Sequence, residues 1–452
     1  MKIFVILFIF LLGGCVSNAP FRSSDGTCVG HWWGCGKSYE VNPGYDLGFV
    51  EFTERGNDFS PSQTSELLHK ISEKSKIEDL AVIVFVHGWK HNASTEDENV
   101  ISFRNALDFL ARSGATGDKK ILGIYIGWRG MTFQGLQLEN LTFWDRKAVA
   151  EEVGRGGVTN FLTDLEYIVG QKNKNFMLTV GHSFGAAITL SALHDTLLDK
   201  MKTAERTGTL KPFGDGVVLL NPAIEANQAL LLKESSMRIG AKHKPIQSIM
   251  YVVSSRADLP TNFAFPLGQI VGVNARWKQE VIQRDYFGIP YALKEVDLDD
   301  QTVGNYSLFT TGVMNDIMIE PTAELKPALA IEQPPLQKSL LQTRALTLRS
   351  SNIANWGFTS YCSPSNSFFT SAHMPCFAND PIDFISAPES FIKNHNDVFN
   401  KNVIALLSAI VHKSLSEKQG ATLGYCVNNK KFDFGKCFAY YFEKNKDIPY
   451  DN

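Results

Sequence analysis

Phe176-Met177-Leu178-Thr179-Val180 leads without a break into Gly181-His182-Ser183-Phe184-Gly185 and then into the small residues Ala186-Ala187. The first five residues read as a buried strand, and the residues from Gly185 onward as the start of a helix. A serine on a tight strand-to-helix turn projects above the sheet, and glycine on both flanks lets the backbone crowd around it. The helix N-terminus turns its partial positive charge toward any anion that forms there. The pattern Gly-x-Ser-x-Gly alone arises by chance in about one chain in ten of this length. The strand before it and the helix after it are what give it meaning. Ser183 is therefore the candidate nucleophile; the competing reading is a plain glycine-rich turn.

Working outward, short apolar runs alternate with helical patterns. Ala81 to Val86 is a continuous β-branched run that ends in His87-Gly88-Trp89, as expected of a strand covered on both faces. Ile121 to Ile126 is a similar run, closed by Gly127-Trp128-Arg129-Gly130. Gly216 to Leu220 and Ile249 to Val253 supply two more. Before them, Ser60 to Lys76 reads as an amphipathic helix with Ser60 as N-cap and Pro61 at its first position, and between them Asn99 to Ala111 and Thr159 to Val169 are also helical. This alternation predicts an α/β fold with a mainly parallel sheet and helices on both faces. Regularity fades after Asp258 and returns as a helix over Asn402 to His412. The expected divisions are a signal segment over 1–14, an irregular N-terminal region over 15–75 and a core over 76–274. A lid or inserted subdomain follows over 275–350, then the rest of the core over 351–415 and a tail over 416–452.

Acyl chemistry on a serine needs a base, an acid to orient it and donors for the oxyanion. The Phe184 N–H, next to the nucleophile, is one donor, and the Trp89 N–H after the first core strand is the second. Gly88 frees that loop to bend inward, and His87 reads as a structural hydrogen-bonder. With chain order Ser, acid, His, the strand Met250 to Val253 leads to Asp258, and the loop Asn394-His395-Asn396-Asp397 supplies His395. His395 would take the Ser183 proton, and Asp258 would hold the imidazole. The rival bases are His373, His412, His194 and His243, and the rival acid is Glu225. The reading requires the hydroxyl at 183 and the imidazole at 395 to meet over the strand ends. Trp128, Arg129, Phe143, Trp144 and Arg146 form either a pocket wall or loop packing of arginines on indoles.

These segments resemble a family of bacterial α/β hydrolases of unknown function. The resemblance rests on Val84-Phe85-Val86-His87-Gly88-Trp89, Tyr125-Ile126-Gly127-Trp128-Arg129-Gly130, the Ser183 turn, the strand leading to Asp258 and Asn394-His395-Asn396-Asp397. It spans roughly residues 75 to 270 and 380 to 412. It implies the α/β-hydrolase fold and a serine hydrolase site without metal or other cofactor, and it names no substrate. The segment between Asp258 and His395 is longer than a minimal fold of this kind needs.

The N-terminus points to export. Met1-Lys2 precedes an unbroken apolar run from Ile3 to Leu12, which is too short for a membrane helix and suits a signal segment. Leu12-Gly13-Gly14-Cys15 resembles the lipobox of bacterial lipoproteins, which implies cleavage before Cys15 and lipid attachment to it. An ordinary signal peptide with a chance cysteine is the alternative. Val16 stands where an aspartate would signal inner-membrane retention, so the resemblance favours the outer membrane. Cys28/Cys35, Cys362/Cys376 and Cys426/Cys437 fall into three local pairs, and nearest-neighbour disulfides are expected of exported cysteines. A net charge of −3 without a basic stripe excludes nucleic-acid binding by simple electrostatics. The expected partners are a small-molecule or lipid acyl substrate and the membrane through the anchor. Hydrolysis of an ester leads; acyl transfer on the same residues and a catalytically silent surface binding module are the alternatives.

Overall fold

The computed structural model describes residues 14–15, 18–29, 34–130, 133–134, 143–243, 248–258, 260–261, 280–316, 356–360, 362, 374–377, 380–419, 426–428, 431–432 and 434–444. The signal segment through residue 13, Pro334-Pro335 and His373 lie outside the described residues, as do the side chains of Cys15, Phe143 and Trp144. The chain divides into two compact units. One comprises Met1–Ala111, Asp118–Asp195 and Pro222–Ile224; the other comprises Arg112–Gly117, Thr196–Asn221 and Glu225–Asn452.

The first unit is built on β1 (Tyr39–Val41), β2 (Tyr45–Phe52), β3 (Leu80–Val86), β4 (Lys120–Trp128) and β5 (Phe176–His182), in spatial order β5-β3-β4-β2-β1. β2 to β5 pair in parallel, and β1 runs antiparallel along β2. Every residue of β2, β3 and β5 is buried, and β3 shows an unbroken apolar run where a half-exposed strand would alternate. β2 escaped the sequence reading because Asp46, Gly48 and Glu51 interrupt its pattern. Each has a structural reason. Asp46 meets Lys74 and accepts from the Tyr39 hydroxyl, and Glu51 accepts the Phe21 and Arg22 N–H groups. A Cβ at Gly48 would stand 2.6 Å from Leu67 Cδ1.

Around these strands run α1 (Pro61–Ile77), α2 (Glu98–Ser113), α3 (Phe143–Val153), α4 (Thr159–Gly170) and α5 (Phe184–Thr207). α1 buries Thr64, Leu67, Ile71 and Ser75, one stripe at helical spacing. Pro61 opens it as expected, but the Ser60 side chain makes no cap bond; only its carbonyl is used, by the Thr64 N–H. The register of β3 on β5 sets Val86 opposite Gly181. His87-Gly88-Trp89 thereby leaves β3 beside the Ser183 turn.

The second unit contains β6 (Gly216–Leu220), β7 (Met250–Ser255), a hairpin of β8 (Ile282–Tyr286) and β9 (Ile289–Leu293), β10 (Gly312–Asp316), β11 (Trp356–Ser360) and β12 (Ile382–Ala387). The order β11-β10-β12-β7-β6 is parallel except for β11. Its helices are α6 (Ala226–Lys242), α7 (Glu295–Asp300), α8 (Lys401–Gln419) and α9 (Phe434–Lys444). The span read as a lid or inserted subdomain thus contains β10, a member of the parallel set. Thr311 fixes it there: its N–H donates to the Phe384 carbonyl, and its hydroxyl oxygen accepts the Phe384 N–H. The hairpin is docked on α6 by Glu234, which accepts from the Tyr286 hydroxyl and Arg284 Nε, both at 2.9 Å.

The structure pairs Cys28–Cys35, Cys362–Cys376 and Cys426–Cys437, as the spacing suggested. Cross-links closing loops of this size stabilise by about 3 kcal/mol each in the chain-entropy model. Among the described residues no helix is long and apolar enough to cross a membrane.

Candidate active site

Ser183 sits at the carboxyl end of β5 with φ of +56°, a left-handed conformation that costs a non-glycine residue energy. Its surroundings leave it no alternative. A Cβ at Gly185 would lie 2.0 Å from the Val86 carbonyl oxygen, and one at Gly181 2.6 Å from Thr189 Oγ1. Both flanks therefore have to be glycine. The Ser183 carbonyl accepts from the Ala186, Ala187 and Ala223 N–H groups, which locks the turn onto the first residues of α5. Phe184 opens that helix, fully buried.

The segment after β3 is held just as firmly. Its imidazole pillar is His87, buried completely, with burial pushing its pKa down to about 4. The neutral ring then has one donor and one acceptor, and both are used. Nδ1–H donates to the Gly88 carbonyl at 2.8 Å, and Nε2 accepts the Trp128 N–H at 3.0 Å. The Trp128 indole N–H returns to the His87 carbonyl, and the two rings stack. His87 is structural, as expected. A Cβ at Gly88 would stand 2.9 Å from Ser183 Cβ, so the backbone before Trp89 passes within contact of the serine. Lys90, at φ of +69°, donates its N–H to the Gly130 carbonyl and fixes the far side of the bend.

In the second unit, Asp258 follows the end of β7 and His395 the end of β12, two adjacent parallel strands. Both carboxylate oxygens of Asp258 lie 2.9 Å from His395 Nδ1. Asp258 is fully buried, and its Oδ1 also accepts the Thr261 N–H at 3.1 Å. A carboxylate so placed favours the tautomer with the proton on Nδ1. The turn that presents His395 is tied internally by Asp397, whose Oδ2 accepts from the Lys393 N–H and from Asn400 Nδ2.

Two residues absent from the sequence reading complete this arrangement. Asn221, buried and at φ of +43°, donates Nδ2 to the carbonyl of His395 at 3.0 Å and accepts the Ser255 N–H on Oδ1 at 2.9 Å. Ser255 Oγ donates to the Ile392 carbonyl at 2.7 Å. The available signal was the polar Asn221-Pro222 directly after the apolar strand β6.

The structure thus brings Asp258 and His395 together in one unit, and Ser183, Phe184, Gly88 and Trp89 in the other. The rivals among the described residues have partners of their own. Glu225 precedes α6 and accepts from Gln228 Nε2. Burial lowers the His412 pKa to about 4, and the ring meets the Tyr441 hydroxyl. His194 pairs with Asp195, and His243 meets the Glu205 carbonyl. Trp128 packs on His87, and Arg129 and Arg146 both pair with Glu54. Among the described residues, two groups have metal-ligand geometry, His412 with Cys426 and Cys437, and Asp380 with Cys362 and Cys376. In both, the sulfurs are bonded to each other as disulfides, which removes the thiolates a metal would need.

No protein-family model matches the chain, and no curated protein sequence matches it. Among solved structures, a Trichoderma reesei cutinase in complex with a C11Y4 phosphonate inhibitor aligns at 13% identity and a TM-score of 0.22, covering 43% of this chain and 76% of that one. A superposition of that quality defines neither fold nor activity.

Proposed function

We propose that the chain is a serine hydrolase of the α/β-hydrolase fold that cleaves a carboxylic ester through an acyl-enzyme on Ser183. The observation that carries this reading is the Ser183 turn. A strained serine, flanked by glycines that nothing larger can replace, ends a buried parallel strand and opens a helix. Strain of this kind persists where the surroundings enforce it and clusters at reactive sites.

Ser183 Oγ attacks the acyl carbonyl as its proton passes to His395 Nε2. The Phe184 and Trp89 N–H groups receive the oxyanion, and Asp258 stabilises the imidazolium through Nδ1–H. The imidazolium then protonates the leaving alcohol. Water, deprotonated by the same nitrogen, attacks the acyl-enzyme and releases the acid. Every step uses side chains and backbone of this chain alone.

A fluorophosphonate probe tests the reading, since it reacts only with an activated serine. Wild type labels and Ser183→Ala does not, and the same pair differs in turnover of p-nitrophenyl esters of graded chain length. A folded wild-type protein that takes no label is instead a silent binding module.

The resemblance of Leu12-Gly13-Gly14-Cys15 to a lipobox supports placing the enzyme on the cell envelope, lipid-anchored through Cys15 and favouring the outer membrane. Several acyl chains, at roughly 0.8 kcal/mol per buried CH₂, would hold it there. Metabolic labelling with an alkynyl fatty acid checks this: the signal is present in wild type and lost in Cys15→Ser.

A further inference from the structure

The polar hub at the carboxyl ends of β6 and β7 is not one of the groups that would touch a substrate, yet all of its bonds end on the segments carrying Asp258 and His395. Asn221 occupies the left-handed region at φ of +43°, which asparagine tolerates better than most residues. Its own N–H donates to the Val253 carbonyl at 2.8 Å and so continues the β6–β7 ladder. Its carboxamide, fully buried, then faces two ways. Oδ1 takes the Ser255 N–H, three residues before Asp258, and Nδ2 points at the carbonyls of His395 at 3.0 Å and Asn394 at 3.4 Å. Ser255 adds a second brace. Its Oγ donates to the Ile392 carbonyl at 2.7 Å and accepts the Ala257 N–H at 3.1 Å.

We propose that Asn221 is a positioning residue that holds the His395 loop in register with the Asp258 loop, with Ser255 as its auxiliary. Resting on the hydrolase reading above, it deepens that reading. The chemistry explains the choice of residue. A loop carbonyl needs a donor and a strand-end N–H needs an acceptor, and a single primary amide offers both from one planar group. Aspartate has the same shape but no donor, so it would set an oxygen against two carbonyl oxygens. Glycine keeps the positive φ and removes the amide altogether. An imidazole must sit within a fraction of an ångström of its working place, and a small misplacement costs about a hundredfold in rate.

The test uses the full-length chain as Asn221→Gly and Asn221→Asp, with p-nitrophenyl butyrate turnover, the fluorophosphonate labelling rate of Ser183 and thermal midpoints measured in parallel. Both variants are expected to lose ten- to a hundredfold in kcat and in labelling rate while KM stays within twofold, because the serine and the acyl site are untouched. A lowered midpoint with wild-type kcat in the folded protein would make Asn221 merely structural and overturn the inference. If neither variant folds, Ser255→Ala decides, since alanine fits the site and only the Ile392 and Ala257 bonds go. A kcat loss at constant KM upholds the brace, and wild-type kcat overturns it. Absence of labelling in wild type is a different result, which removes the hydrolase reading itself.

Discussion

The imidazole of His395 meets the carboxylate of Asp258 across two equal contacts of 2.9 Å, with the aspartate fully buried. A buried carboxylate facing one ring nitrogen fixes the tautomer as well as the ring orientation. Asp258→Asn keeps the shape but can present an amide N–H to Nδ1, which favours the tautomer with the proton on Nε2. Nε2 then cannot accept the serine proton. In a comparable triad this exchange costs about 10⁴ in kcat. We expect a loss of about 10³ to 10⁴ here with KM nearly unchanged, read from steady-state ester hydrolysis. A loss below tenfold would return the acid role to Glu225.

Gly88 offers a separate test on the other unit. An added Cβ would meet Ser183 Cβ at 2.9 Å, His182 Nδ1 at 3.0 Å and the His182 carbonyl oxygen at 3.1 Å. Two of these three atoms belong to backbone or to a Cβ fixed by backbone, so Gly88→Ala must move the loop or the turn. The Trp89 N–H moves with it. Losing one oxyanion donor costs about 10² to 10³ in kcat. Gly88→Ala should fall in that range and retain its circular dichroism spectrum. Wild-type turnover would show that the Trp89 N–H is not a donor.

How much of this was legible depends on where polar residues fall. β3 and β5 were readable because each is an uninterrupted buried run, and the Ser183 turn because glycine at 181 and 185 is a steric demand that sequence displays directly. Asp258 and His395 follow from chain order, their strand-end and loop settings and the family resemblance, and their contact required the structure. β2 and β12 were missed because buried acids interrupt them. Glu51 serves two backbone N–H groups, and Asp383 accepts from Ser248 Oγ at 2.7 Å. Such residues look like solvent-facing positions until their partners are known. Asn221 shows in the sequence only as a polar residue after an apolar strand, and one amide there does not say which distant loop it holds.

His87 makes acid sensitivity predictable. Its pKa is depressed to about 4 by burial, while the unfolded chain titrates near 6.5. The neutral ring therefore contributes stability in full above pH 6.5, and that contribution is lost as pH falls to about 4. The gap corresponds to about 3 kcal/mol. His412, lowered to about 4 by the same cause, adds to the effect in the same window. Urea midpoints should drop between pH 6.5 and 4.5, before most carboxylates titrate. His87→Gln should start from a lower midpoint and show a shallower slope.

Glu51 predicts the opposite trend at the other end of the scale. Burial raises its pKa to about 7, outweighing the Phe21 and Arg22 N–H groups and the Arg22 charge, which favour the carboxylate. The acid lies beneath the Phe21–Arg22 segment, where Arg22 Nε donates to the Ala93 carbonyl and its guanidinium stacks on Phe49. A raised acid pKa stabilises the fold below the ordinary value near 4.5 and loses that contribution as pH climbs through about 7. Amide exchange at Phe21 and Arg22 should therefore accelerate between about pH 4.5 and 7 beyond the intrinsic base-catalysed rise, as the docked segment loosens. Glu51→Gln removes the titration and should flatten that excess, at a cost of about 1–3 kcal/mol for the N–H left facing an amide donor. An excess that survives in Glu51→Gln would assign the loosening to another group, and no excess in wild type would mean that Arg22 keeps the carboxylate ionised throughout.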